Sequence, residues 1–151
     1  MNNYTNQEEI KLKDFAKGKW DLQILKDGEV IYQSKESGIK PVIDFIKKFG
    51  TSLKDLMIYD KIVGQAVALL FVLLKVKSSR CRQDSSSFAK VYGVVGSKKA
   101  EEVLKKYQIP HLFLQTVPYI TNRDKTGPCP FEKMAEGKSP EEFWKLVSEK
   151  F

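Results

Sequence analysis

The chain predicts an α/β fold, a three-layer α/β/α sandwich built on a mixed five-stranded sheet. Three observations lead there. Two short apolar-alternating runs, Trp20–Leu25 and Val30–Gln33, flank Lys26-Asp27-Gly28-Glu29, and Asp-Gly between such runs is a strong hairpin signal because Gly accepts the positive φ of the tight turn. Three alternations of helix and strand follow. A helical crossover within one sheet joins parallel strands and is right-handed. The second to fifth strands therefore run one way, the first runs against them, and the order is 2-1-3-4-5. At 151 residues a single domain, residues 1–151, can bury its own core without staples.

The elements follow from periodicity and punctuation. Glu8 to Lys17 is a short amphipathic helix ended near Gly18. After the hairpin, Ser37-Gly38 opens a helix through Phe49 whose apolar face is Val42, Ile43, Phe45 and Ile46. Pro41 sits in its first turn, where a missing N–H costs little, and Gly50 stops it. Leu56–Tyr59 is a short strand closed by Asp60-Lys61, and Ile62–Leu74 a buried helix. Lys77–Ser87 is polar and serine-rich. Phe88–Val95 is a strand, Ser97 caps a helix Lys98–Tyr107, and His111–Val117 is the last strand. Pro130 begins a short helical turn. Ser139-Pro140 starts the final helix, with Ser139 and Glu142 spaced as a capping box.

Composition narrows the class. With 42% apolar and 30% charged residues the chain is an ordinary globular protein. The polar start predicts no secretory leader. The run Ile62–Leu74, broken by Gly64 and Gln65, falls short of the roughly 20 residues that span a bilayer. Cys81 and Cys129 have no paired spacing, against a disulfide framework. A cytoplasmic protein is the expectation. The net charge of +7 invites a nucleic-acid reading, yet most lysines alternate with acids on helix faces. Only Lys75, Lys77, Arg80 and Arg82 form a local basic run, and polynucleotide surfaces cluster bases with exposed aromatics.

The site is expected where parallel strands end, since ligands of open α/β sheets bind at the carboxyl edge. Three segments reach it: Glu36-Ser37-Gly38, Asp60-Lys61 with Gly64, and the loop Thr121–Glu132, TNRDKTGPCPFE. That loop combines Arg123, acids, Cys129 and two prolines, a stiff backbone beneath charged groups. Asp60 fits a general acid or base, or a helix cap. Lys61 fits an anion partner or a solvent-facing ammonium. Gly64 allows close approach of a ligand or another backbone, and Ser37-Gly38 offers N–H groups to an anion or to plain capping. Arg123 suits a bidentate clamp on carboxylate or phosphate, or a salt bridge with Asp124 or Asp60. Asn122 and Asp124 also suit turn-building. Cys129 and Glu132 have the spacing of an N-cap and an N3 acid, and a thiol at a helix start favours a reactive thiolate. The catalytic candidates are thus Asp60, Cys129 and Glu132, and the ligand-binding candidates Ser37, Gly38, Lys61, Gly64, Asn122, Arg123 and Asp124. No metal or other cofactor is expected: the single histidine, His111, reads as a core or edge residue, and two distant cysteines make no zinc set. Neither G-x-G-x-x-G nor a Walker loop is present.

Six pieces in order, LKDGEVIYQS, SGIKPVIDFI, YDKIVGQAVALL, GVVGSKKAEEVL, VPYITNRD and GPCPFEK, resemble an uncharacterised bacterial and archaeal domain-of-unknown-function family within the cytidine-deaminase-like superfamily. The resemblance spans most of Trp20–Lys133 and implies the same three-layer fold. Active members of that superfamily hold zinc through H-A-E-like and PCxxC motifs. Here Ser37-Gly38-Ile39 and Asp60-Lys61-Ile62-Val63-Gly64 occupy those places, so the resemblance implies the pocket location without the zinc mechanism.

The leading expectation is a zinc-free deaminase-like domain that binds a small anionic or nucleotide-like molecule at the carboxyl edge. Its rivals are a cysteine-dependent enzyme using Cys129 with Asp60 or Glu132 handling protons, a nucleic-acid module on the basic run, and a structural partner role. Whether the domain is an enzyme, and whether it forms homo-oligomers, is left open by the sequence.

Overall fold

The computed structural model describes residues 6–36, 38–51, 53–78, 90–121 and 129–151, including the side chains of all but 75–78. The elements are α1 (Asn6–Lys17), β1 (Leu22–Lys26), β2 (Glu29–Ser34), α2 (Lys40–Phe49), β3 (Leu56–Val63), α3 (Gln65–Ser78), β4 (Lys90–Ser97), α4 (Lys98–Lys106), β5 (His111–Val117), α5 (Pro130–Ala135) and α6 (Pro140–Ser148).

The sheet has the expected order, β2-β1-β3-β4-β5. β1 is antiparallel to both β2 and β3, while β3, β4 and β5 are parallel. Asp27 (φ 53°) and Gly28 (φ 85°) both take positive φ, the signature of the primed two-residue turn whose twist matches the strands. Three right-handed crossovers all step the same way across the sheet, which puts α2, α3 and α4 on one face. The main core forms there, from Val42, Ile43 and Phe45 of α2, Ala66 to Leu74 of α3, Ala100 and Leu104 of α4, and Phe143 and Val147 of α6, against Leu22, Ile24, Leu56 and Ile58. α1 covers the opposite face with Leu12 and Phe15 over Tyr59 and Tyr92, whose rings stack 4.8 Å apart.

Local chemistry sets the boundaries. Ser97 caps α4 by accepting from the Ala100 N–H at 3.0 Å. Ser139 and Glu142 form the expected reciprocal box at α6. Gly50 ends α2 with φ 75° and its N–H on the Ile46 carbonyl. Several boundaries differ from the sequence expectation. β4 runs on to Ser97 rather than Val95, and its expected start at Phe88 lies outside the described residues. Asp60-Lys61 does not close β3, which continues to Val63, because its ladder with β4 persists through Ile62↔Val95 and Val63↔Gly96. The buried helix therefore starts at Gln65, not Ile62. α2 begins at Lys40 with Ile39 as N-cap, later than Ser37-Gly38. Of the stretch Lys77–Ser87, residues 77 and 78 belong to α3; the remainder, Arg80 and Arg82 of the basic run included, lies outside the described residues. No helix among the described residues is long and apolar enough to cross a membrane.

Ser97 is fully buried, so Ser97→Ala strands the Ala100 N–H away from water. We expect a loss of about 1–2 kcal/mol, read as a lower urea midpoint with an unchanged m-value.

Candidate functional site

The carboxyl edge of the parallel strands collects the ends of β2, β3 and β4 and the starts of the helices that follow them. An α-helix presents unpaired N–H groups at its first turn, and a partial positive charge with them. How each of these helix starts is satisfied determines what the edge can bind.

At α3 the chain supplies its own anion. Both Glu132 carboxylate oxygens accept backbone N–H groups of the first turn, from Gln65 and from Ala66, each at 2.7 Å. Gly64 makes this possible: a Cβ there would lie 2.7–2.9 Å from the three atoms of the carboxylate. The close approach expected at Gly64 is thus made by a side chain of α5. The capping box expected between Cys129 and Glu132 does not form. Cys129 is the N-cap residue of α5, but its thiol makes no capping bond, and the Glu132 carboxylate is spent on α3. Burial pushes the Glu132 carboxyl up from its ordinary value, opposed by the Ala66 and Gln65 N–H groups and by the Lys99 ammonium. Lys99 itself pairs with Glu136 just beyond α5. Gln65 Oε1, beside this clasp, is buried with no hydrogen-bond partner among the described residues. Sequence reasoning missed Gln65 altogether. Its partner is 67 positions away, and no linear spacing signals that.

Asp60 is the second buried carboxyl. It is 6% exposed and faces the main core from β3, opposite Leu22, which also pairs with Ser34 at the end of β2. Its carboxyl is met by the Ile62 N–H, 3.4 Å from Oδ1, and to a lesser extent by the Lys61 N–H. No ammonium or guanidinium among the described residues lies within ion-pair distance of it. Burial holds its carboxyl well above the ordinary 3.8, and the nearby Asp21 charge adds to this.

Lys61 does not join Asp60. It alternates to the α1 face, where Nζ bonds the Gly18 carbonyl at 2.5 Å, lies 4.0 Å from Asp21 and sits over the Phe15 ring. Gly38 precedes α2 with φ 91°. Ser37, Asn122, Arg123 and Asp124 lie outside the described residues, and so does the expected meeting of Arg123 with Asp60. The loop is anchored at its far end, where the Cys129 N–H donates to the Ile120 carbonyl at 3.0 Å. Cys129 is half-buried and free. His111 is structural, with Nδ1 3.0 Å from the Ile109 carbonyl and its ring against Phe113. No cluster of three or more metal-ligating side chains exists among the described residues. On the opposite face, Lys11, Asp14, Phe15, Trp20, Gln23 and Tyr59 line an open cavity of about 360 Å³ beside α1, which the sequence did not suggest.

A family profile described as TM1506, domain of unknown function (DUF1893), matches residues 11–151. The chain belongs to the DUF1893 family. The crystal structure of a DUF1893 family protein (TM1506) from Thermotoga maritima is similar, with a TM-score of 0.77 and 27% identity over 99% of this chain and 94% of that one. Among curated proteins nothing matches. The family supports the α/β fold and the five-stranded order, and carries no assigned activity.

The clasp between α5 and α3 is testable by a double-mutant cycle. Glu132→Ala removes two short charge-assisted bonds and is expected to cost about 2 kcal/mol. Gly64→Ala, forced against the carboxylate, should cost about 1–2 kcal/mol. In the Glu132→Ala background Gly64→Ala should become neutral or slightly stabilising, because the added Cβ no longer meets a carboxylate. Equal costs in both backgrounds would mean that the glycine serves something other than the clasp.

Proposed function

We propose that this DUF1893 domain binds a small anionic or nucleotide-like molecule at the carboxyl edge, between Asp60 and the start of α2. The observation that carries the reading is the buried Asp60 carboxyl. Folding retains an ionisable group in the core with only the backbone N–H groups of Ile62 and Lys61 to meet it and no cation partner among the described residues. Such a group is costly, and perturbed carboxyls in clefts concentrate at functional sites.

The helix starts supply the second support. Of the three that follow parallel strands, α3 is closed by Glu132 and α4 by Ser97. No side chain among the described residues caps the first turn of α2, and its N–H groups are the proposed seat for an anionic group. Pairing places Ser34, Leu22 and Asp60 on one rung of the sheet, so the end of β2 lies about 10 Å from Asp60. A carboxyl that burial keeps protonated to higher pH tolerates an anion that a carboxylate would repel, and donates a hydrogen bond to an acceptor on the ligand. It is also the group here best placed to pass a proton, should the bound molecule react. Gly38, with Ser37, Asn122, Arg123 and Asp124 as further contacts, completes the proposed binding set. The resemblance to the cytidine-deaminase-like superfamily favours the same location without its zinc. Lys61, Gly64 and Glu132 drop out of direct contact, being engaged within the chain, and Cys129 stands at the loop base as a further contact.

The test separates binding from stability. Asp60 has a folded pKa above its unfolded one, so its contribution to stability is fully present below pH 3.8 and is lost as pH rises through the folded value. Asp60→Asn, which keeps the acceptor for the Ile62 N–H, should therefore be more stable than the parent at pH 7 and show a flatter dependence between pH 4 and 7. In a thermal-shift screen of nucleotides and small organic anions, the same variant should lose the hits of the parent. A variant that keeps every hit would remove Asp60 from the site; one less stable at pH 7 would make the carboxylate a structural group.

A further inference from the structure

We propose that the cavity between α1 and β1, on the face of the sheet away from Asp60, is a second binding site, which takes a small planar aromatic molecule carrying a negative charge.

α1 packs across β3, β4 and β5 and makes no comparable contact with β1 or β2. Side chains alternate across a strand, so Leu22 and Ile24 of β1 are sealed in the main core, while Gln23 and Leu25, on the α1 face, are only half-buried. An open cavity of about 360 Å³ results, within the size range of small-molecule sites. Gln23, Leu25 and Tyr59 floor it, and Lys11, Phe15 and Trp20 wall it.

The segment that carries Lys19 and Trp20 is fastened at both ends. The Gly18 N–H donates to the Phe15 carbonyl at 3.0 Å, and the Gly18 carbonyl takes the Lys61 ammonium. The Asp21 N–H donates to the Ser34 carbonyl at 2.9 Å, and the Asp21 carbonyl accepts the Lys61 N–H at 3.0 Å. The wall is thus in place before a ligand arrives, which lowers the cost of binding.

The lining selects the ligand's shape. Phe15 and Tyr59 hold their rings 5.5 Å apart at 45°, and Trp20 beside them is half-buried. Three aromatic rings give wide apolar contact with few rotatable bonds, and they suit a flat ring better than an aliphatic chain. Gln23 Nε2 donates to Gln33 Oε1 at 3.0 Å, which leaves the Gln23 carbonyl oxygen as an acceptor for a ring N–H or hydroxyl.

Charge selects the sign. Lys11 lines the cavity, and the Lys19 and Lys35 ammonium groups each lie 5.5 Å from the centre of the Trp20 ring. None of the three is in an ion pair among the described residues. Lys61, by contrast, is matched by Asp21, and Asp14 is the one acid among the described lining residues. The excess of ammonium groups attracts an anion. Exposed ammonium–ring contacts are weak enough for Lys19 and Lys35 to swing onto a carboxylate or phosphate. The net charge of +7 disfavours a second copy of the chain as the occupant for the same reason that it favours an anion.

The test follows indole N–H signals by NMR in the nitrogen-labelled full chain, whose two tryptophans are Trp20 and Trp144; Trp144→Phe assigns them. Indoleacetate is the probe, indoleacetamide keeps its ring without the charge, and acetate keeps the charge without the ring. Indoleacetate should shift the Trp20 signal saturably with a Kd below about 1 mM, within reach of a ligand of this size. The amide should bind at least about threefold more weakly, and acetate should leave the signal in place. Lys11→Glu, at an exposed position, should weaken indoleacetate at least about threefold with the melting curve of the parent. Lys145→Glu, the same change of charge on α6, should leave the affinity as it is, and so should Asp60→Asn on the other face. A Trp20 signal that does not saturate, equal affinity for acid and amide, equal losses in Lys11→Glu and Lys145→Glu, or binding that is lost in Asp60→Asn and kept in Lys11→Glu would overturn the proposal.

Discussion

The Glu132 carboxylate on the first turn of α3 is the contact on which the arrangement of the molecule depends. α3 is the central buried helix, touching α2, α4, α5 and α6, and it starts inside the protein, directly after β3. Buried N–H groups there need an acceptor, since leaving each unpaired costs about 1–3 kcal/mol. No residue of the β3–α3 junction supplies one. The carboxylate arrives from α5, after the sheet is complete, and Gly64 is the residue whose missing side chain admits it. The C-terminal α5–α6 segment is therefore part of how the sheet's carboxyl edge is closed, and not an appendage to it.

The architecture was legible because its signals are local. The Asp27-Gly28 turn, the Ser97 cap, the Ser139–Glu142 box and the β5 limits all rest on a few adjacent residues, and all stand as read. Strand direction then follows from the crossovers, because a helical connection within one sheet joins parallel strands. The failure at β3 has a physical cause. Asp60 and Lys61 look like terminators because charge is rare in a central strand. Lys61, however, carries its ammonium past Phe15 to the Gly18 carbonyl at the rim, as long amphipathic side chains do, while burial raises the pKa of Asp60. The apolar run that follows has side chains of similar hydropathy all round, so periodicity offered no phase from which to place the start of α3.

The site was legible only as a location. Topology pointed to the carboxyl edge, and Asp60, Gly64, Cys129 and Glu132 were singled out from it, with residues 122–124 outside what the structure describes. Their roles were not legible, because those are set by contacts between parts of the chain far apart in sequence. Glu132 carried a local signal, three residues after Cys129, that matched a cap for its own helix. Tertiary structure overrode that signal. The acceptor was worth more on the buried start of α3 than on a six-residue helix whose first turn reaches solvent.

Two buried carboxyls at one edge thus receive opposite treatment, and the contrast argues for function at one of them. Glu132 is met by two N–H groups at 2.7 Å, which is the way a structural carboxylate is accommodated: its burial is offset where it occurs. Asp60 is met by the Ile62 N–H at 3.4 Å and weakly by that of Lys61, and sits near a second acid, Asp21, that worsens its position. An asparagine would serve the Ile62 N–H as well without the charge. Stability alone gives no reason for an acid there. The ligand proposed above, with an acceptor hydrogen-bonded by Asp60 and its negative charge on the first turn of α2, would give one.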